Sequence, residues 1–226
     1  MIYVLLALVG LAVIFGPRYW VQWVIKRHSD ERRDFPGTGG ELARHLLDEA
    51  GLSHVRVERV PEGDHYDPDA RAVRLSAPNY DGQSVTAVAI AAHEVSHALQ
   101  DANGYTPLAL RTRMARNVAR IQRLGSIILF AAPILFMVIK APVLIGAQVV
   151  AGLMLLGSSI VFHLLTLPVE LDASFNKALP ILSEGGYLSE EDLPAARHVL
   201  RAAAFTYVAA ALTTLLNAAY WLRILR

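Results

Sequence analysis

Apolar positions along this chain are gathered into runs rather than spread evenly. Ile2 to Gly16 carries no charge and is followed by Pro17, Arg18 and the aromatics Tyr19, Trp20 and Trp23. Leu124 to Ile139 is apolar with Pro133 inside it, and Val143 to Leu167 and Ala202 to Leu222 are free of formal charge. A membrane-spanning helix needs about 20 apolar residues. The last two runs meet that length. The first meets it only if it continues to Ile25 with Arg18 snorkelling to an interface, and 124–139 depends on its flanks. Lys140-Ala141-Pro142 joins a charge to a helix-breaking residue and marks a tight turn, so 124–167 reads as a helical hairpin. The first run has no basic start and no small-x-small cleavage site, which favours a retained anchor over a cleaved signal peptide.

The pattern therefore predicts a mainly α membrane protein with about four transmembrane helices plus a smaller water-facing α+β part. The expected segments are an anchor over 1–27, a polar domain over 28–123, the hairpin over 124–167, a connecting segment over 168–201 and a final span over 202–226. Within the polar domain, Thr38 to Gly51 has helical spacing and a glycine stop. Val55, Val57 and Val60 alternate as a strand, and Ala72 to Leu75 suggests another, with turn formers between them that predict a hairpin. Ser84 opens a strong helix that ends near Gly104. Lys26, Arg27, Arg32 and Arg33 follow the anchor, and Arg111, Arg113, Arg116, Arg120 and Arg123 precede the hairpin. By the positive-inside rule these clusters place the polar part in the cytoplasm and the N-terminus outside.

Composition sharpens this. The chain of 226 residues is 54% hydrophobic and 18% charged, with no cysteine and a formal net charge of +1. That excludes a disulfide scaffold, a cysteine-ligated metal site and a nucleic-acid binder driven by bulk basicity.

The chemistry-bearing motif is His93-Glu94-x-x-His97, on the helix that Ser84 opens. Histidines at i and i+4 project from one helix face, so both imidazoles can reach one ion. Glu94 lies beside the ion without being a ligand, and can take a proton from activated water and return it to a leaving amine. The helix is dense in Ala and Val and reads as buried, where three ionisable residues are rare without a purpose. Two imidazoles and one carboxylate suit one Zn2+ ion with an open position for water. The H-E-x-x-H-x-x-G-x-x-H extension is absent, since Gln100 and Asn103 occupy its glycine and histidine positions. Glu170 in LPVELDASFNKAL is the preferred third ligand, with Pro168 as a good first helical residue and small Ala173 and Ser174 permitting close approach. Asp172 is the rival, about 200° further round at roughly 100° per residue. His163 and His198 are weaker candidates. Two passes through the membrane return the chain to the side it left, so the hairpin and a shared site for His93 and Glu170 stand together.

DHYDP (Asp64 to Pro68), RAVRLSAPNYDGQSVTAVAIAAHEVSHALQ (Arg71 to Gln100), GYTPLALR (Gly104 to Arg111) and LPVELDAS (Leu167 to Ser174) together resemble the YugP-like neutral zinc metallopeptidases of bacterial membranes. The resemblance covers nearly the whole chain. It implies a small zincin-like domain of the gluzincin type, similar in layout to HtpX-like and CAAX-processing proteases. Their Glu-x-x-Ala-Asp pattern supplies the third ligand and matches Glu170-Leu171-Asp172-Ala173 up to the alanine. Ser174 stands where those relatives have Asp, and Ser96 where the family commonly has Gly.

Secondary candidates for substrate or transition-state contact are His65 and Tyr66 in DHYDP, Tyr187 and His198, with Tyr105 also able to donate. The DHYDP run also reads simply as a turn-rich loop, and the strand Ala72 to Ser76 offers an edge for an extended peptide. The arginines from Arg111 to Arg123 read first as a phospholipid-facing stretch. The expected function is a membrane-embedded zinc endopeptidase that cleaves membrane-associated or misfolded proteins, with Glu94 as general base. The alternative is a silent zinc-containing scaffold that binds partners; the intact Glu94 favours the enzyme. The expected partners are a protein or peptide substrate and the lipid bilayer, with no nucleic acid and no oligomeric state specified.

Overall fold

In the computed structural model, which describes residues 2–139 and 142–224, the polar stretches fold around one buried helix. In chain order the elements are α1 (Ile2–Arg27), α2 (Gly39–Glu49), β1 (Arg56–Val60), β2 (His65–Asp67), β3 (Ala72–Ser76), α3 (Ala77–Asp81), α4 (Val85–Ala102), α5 (Thr106–Ile139), α6 (Pro142–Leu171), a π-helical segment (Asp172–Ala178), α7 (Leu179–Glu184) and α8 (Leu193–Ile224).

Helix α2 starts where the glycine pair of TGGE allows it. Thr38 Oγ1 accepts from the Glu41 backbone N–H at 3.2 Å, and the Glu41 carboxylate accepts from the Thr38 N–H at 2.8 Å. This reciprocal box satisfies two otherwise orphaned donors. Gly39 then lets the helix end press against α3 and α4, since a Cβ there would lie 2.2 Å from the Asn79 carbonyl oxygen and 2.9 Å from that of Ala87. Both obstacles are backbone, so relief requires the helix to move. Gly39→Ala should cost about 1–3 kcal/mol, read as a lower denaturation midpoint; an unchanged midpoint would contradict this contact.

The sheet has the order β1-β3-β2. Strand β1 pairs with β3 in parallel, from Arg56 opposite Ala72 to Val60 opposite Ser76, and β2 pairs antiparallel with β3 over three residue pairs. The predicted hairpin between the first and last strands is thus replaced. DHYDP supplies an edge strand of its own, because its two aspartates anchor both ends. Asp64 accepts from the Ser76 N–H at 2.7 Å, the Ser76 hydroxyl at 2.9 Å and Asn79 Nδ2 at 2.8 Å. Asp67 accepts from the N–H groups of Asp69 and Ala70, both at 3.0 Å, and from Arg74 at 2.6 Å. The Ala70 N–H and the Arg74 guanidinium hold Asp67 below the usual carboxylate range. Strand β3 is consequently central, and the expectation that Ala72 to Ser76 offers a free edge to a peptide does not hold; the edges belong to β1 and β2.

Helix α4 is capped by Ser84, whose hydroxyl accepts from the Ala87 N–H at 3.1 Å. It is buried along most of its length, with Val88, Ala91, Ala92 and Val95 in a core shared with Leu47 of α2, Val73 and Leu75 of β3, Leu182 of α7 and Leu200 of α8. This core belongs to one of two compact units, comprising residues 17–109 and 167–206; the other comprises residues 1–16, 110–166 and 207–226.

In the second unit, Leu124, Ile127, Phe130 and Ile134 of α5 and Val150, Met154, Val161 and Leu164 of α6 are large, apolar and exposed. Their spacing of three, four or seven residues gives each helix an outward apolar face. Gln148 of α6 donates to the Ile128 carbonyl of α5 at 2.6 Å. The predicted turn at Lys140-Ala141 lies outside the described residues.

The expectation of about four transmembrane helices is overturned. Among the described residues one helical stretch, Gly146–Glu184, is long and apolar enough to cross a membrane, at a mean hydropathy of 2.0. Long helices here are not uniformly apolar helices. Helix α1 contains Pro17, Arg18, Lys26 and Arg27, and α5 runs unbroken from an arginine-rich half into a charge-free remainder, 124–139, that falls short of the roughly 20 residues required. The run 202–222 of α8 extends into residues whose side chains lie outside the described set. The mainly helical character and the small sheet stand. Pro168, expected to open a helix, lies inside α6 instead, which carries the chain directly into the π-helical segment.

Candidate metal centre

His93, Glu94 and His97 sit on the buried stretch of α4, with 3%, 6% and 3% exposure. Opposite them, the end of α6 and the π-helical segment supply Val169, Glu170, Asp172 and Ser174. Glu170 is 2% exposed, and one of its oxygens, Oε2, lies 3.1 Å from His93 Nε2 and 3.5 Å from His97 Nε2. The imidazole centroids are 4.8 Å apart at 79°. One ligand atom from each of the three residues falls within 4.8 Å of the others.

The hydrogen bonds behind these residues fix which ring nitrogen carries the proton. Ser174 Oγ donates to the Leu200 carbonyl at 3.1 Å, so it accepts from His93 Nδ1–H, also at 3.1 Å. The Gln100 amide nitrogen donates to the Val169 carbonyl at 3.0 Å and to Asp172 Oδ2 at 2.8 Å. Both partners are acceptors only, so Gln100 Oε1 is turned toward His97 Nδ1, 2.8 Å away. With Nδ1 engaged from behind, both rings direct Nε2 toward the Glu170 carboxylate. Two imidazole Nε2 atoms and a buried carboxylate oxygen thus converge on one small volume, the arrangement a bound cation would occupy. Two imidazole nitrogens and one carboxylate oxygen are a donor set that zinc accepts, with room for a further ligand. The residues present fit the ion.

Ser174 does by hydroxyl what an aspartate would do by carboxylate: it holds the ring of a ligand histidine from behind. Asp172, the rival ligand, accepts instead from Gln100, from Asn176 Nδ2 at 3.0 Å and from Lys177 Nζ at 3.0 Å. Gln100 was noticeable in the sequence only as a missing glycine. Its signal is positional: it follows His97 by three residues and His93 by seven, on the same face of α4.

The secondary candidates have partners of their own. His65 is exposed, with Nδ1 3.2 Å from the Gly63 carbonyl. Tyr66 donates to Asp101 at 2.8 Å, and burial together with that carboxylate pushes its phenol well above the ordinary range. Tyr187 donates to Glu49 at 2.8 Å and lies 3.0 Å from His45; burial and then Glu49 raise its phenol too. It also lines a cavity of about 460 Å³ with Phe35, Leu42, His45 and Val88. His198 is exposed, its ring 6.4 Å from that of His28. His28 is held below the usual imidazole range by burial, then by His198 and Arg27.

Two histidines one helical turn apart and a carboxylate brought back by a later helix form a group able to hold a metal ion, with a buried glutamate next to the first histidine. The chain belongs to the family described as "putative neutral zinc metallopeptidase", whose model matches residues 3–226. Zinc is thus the metal, and His93, His97 and Glu170 form the group able to hold it. The chain is 37% identical over 223 residues to a protein of Bacillus subtilis (strain 168) named "Putative membrane protease YugP", covering 95% of this chain and 92% of the relative. No solved structure matches.

Proposed function

We propose that this protein is a membrane-associated zinc endopeptidase that cleaves proteins or peptides lying in or at the bilayer. The observation that carries this reading is the shared Glu170 oxygen, faced by two Nε2 atoms whose tautomers are set from behind. When bound, zinc supplies a Lewis acid that polarises a carbonyl oxygen and brings the pKa of water toward about 7. The chain's own residues do the rest. Ser174 and Gln100 hold the imidazoles; Glu94, adjacent to His93 on α4, accepts the proton of the attacking water and hands it to the leaving amine. Burial of α4 excludes bulk water and strengthens each of these electrostatic contacts.

The outward apolar faces of α5 and α6 and the name of the relative support a bilayer location. Lys26 and Arg27, with the arginines from Arg111 to Arg123, support a catalytic part on the cytoplasmic side, and the bacterial relative supports a bacterial cell membrane. Purified protein should hydrolyse casein or a model peptide, lose that activity to a zinc chelator and regain it when zinc is returned. Hydrolysis that survives complete removal of the metal would sink this reading.

A further inference from the structure

Gln100 is fully buried and spends every polar atom. Its two amide hydrogens go to the Val169 carbonyl and to Asp172, and its oxygen faces His97 Nδ1. A glutamine amide can turn over, exchanging donor for acceptor. Here two acceptor-only groups prevent it, one immediately before Glu170 in sequence and one two residues after it. Asp172 is itself fixed by Asn176 and Lys177 of the same π-helical segment.

We propose that Gln100 and Asp172 form a positioning pair that ties the tautomer of His97 to the segment bearing Glu170, with Asp172 acting on the metal centre only through Gln100. This rests on the metal-centre reading above. Without Asp172 only the Val169 carbonyl still opposes a turn of the amide, and the orientation that offers NH2 to His97 Nδ1 becomes more populated. That orientation calls for an acceptor at Nδ1, which moves the ring proton to Nε2 and removes the lone pair that faces Glu170. Loss of such a supporting partner typically lowers metal affinity about 10–100-fold.

The test is a double-mutant cycle on the full-length purified chain, reading zinc affinity by competition with a chromogenic chelator and the visible spectrum of the cobalt-substituted protein. Gln100→Leu should weaken zinc binding about 10–100-fold and alter the cobalt spectrum. Asp172→Ala should weaken it in the same direction and less. The double variant should bind no more weakly than Gln100→Leu alone, because the pair is one unit. Asp172→Asn keeps an acceptor oxygen and should restore near wild-type affinity. Additive losses in the double variant, or Gln100→Leu binding zinc as tightly as wild type, would overturn the proposal. If Gln100→Leu does not fold, Asp172→Ala and Asp172→Asn decide it, and wild-type affinity in Asp172→Ala overturns it. A wild-type chain that holds no zinc would instead overturn the metal-centre reading together with this inference.

Discussion

Glu94→Gln should leave zinc bound and reduce peptide hydrolysis about 10²- to 10⁴-fold, the range that a positioned general base contributes. The substitution keeps the size of a side chain that is 6% exposed, so the buried face of α4 loses no packed volume. What it loses is the only basic oxygen that this reading assigns to proton transfer. Glu94 is not part of the His93, His97 and Glu170 group, so metal content should match wild type. Turnover of a model peptide, measured beside metal analysis on the same preparations, checks both halves. Equal turnover in wild type and Glu94→Gln would leave a zinc-holding scaffold rather than a peptidase.

Glu170→Ala should act on the other quantity. It removes the one anionic donor among three, leaving two neutral imidazoles to hold a divalent ion in a buried site, which the interior disfavours. Zinc retained through dialysis should fall far below the wild-type level, and hydrolysis with it. Asp172→Ala should still reach wild-type stoichiometry when zinc is saturating, because Asp172 contacts Gln100 and Lys177. The opposite ranking of these two variants by metal analysis would move the third ligand to Asp172.

Much of this site was legible because its information is local. The spacing of His93 and His97, the cap at Ser84 and the Ala- and Val-rich flanks all lie on one helix and obey one period. Glu170 was reachable because, of the two carboxylates in its segment, it is the one that shares a helix face with the small residues Ala173 and Ser174. The support behind the histidines was not legible in the same way. Ser174 finds its acceptor on Leu200 and Gln100 finds its own on Val169 and Asp172, pairings that no periodicity within one element announces. The sheet misled for a related reason. Alternation marks a strand but not its neighbour, and the anchors that turned DHYDP into an edge strand, Ser76, Asn79 and Arg74, lie up to fifteen residues away in sequence. Span counting failed where apolar length was read apart from the helix that contains it, since α5 and α1 join charged and uncharged halves without a break.

The dependence of His93 on the Leu200 carbonyl, through Ser174, has a consequence for the order of synthesis. The ribosome releases the α4 motif long before Glu170, and the acceptor that orients Ser174 comes thirty residues later still, counted from Glu170 to Leu200. A nascent chain thus displays its histidines and its general base while still lacking an anionic donor and a settled imidazole. The metal centre described above is complete only once Leu200 has been made and packed against Ser174.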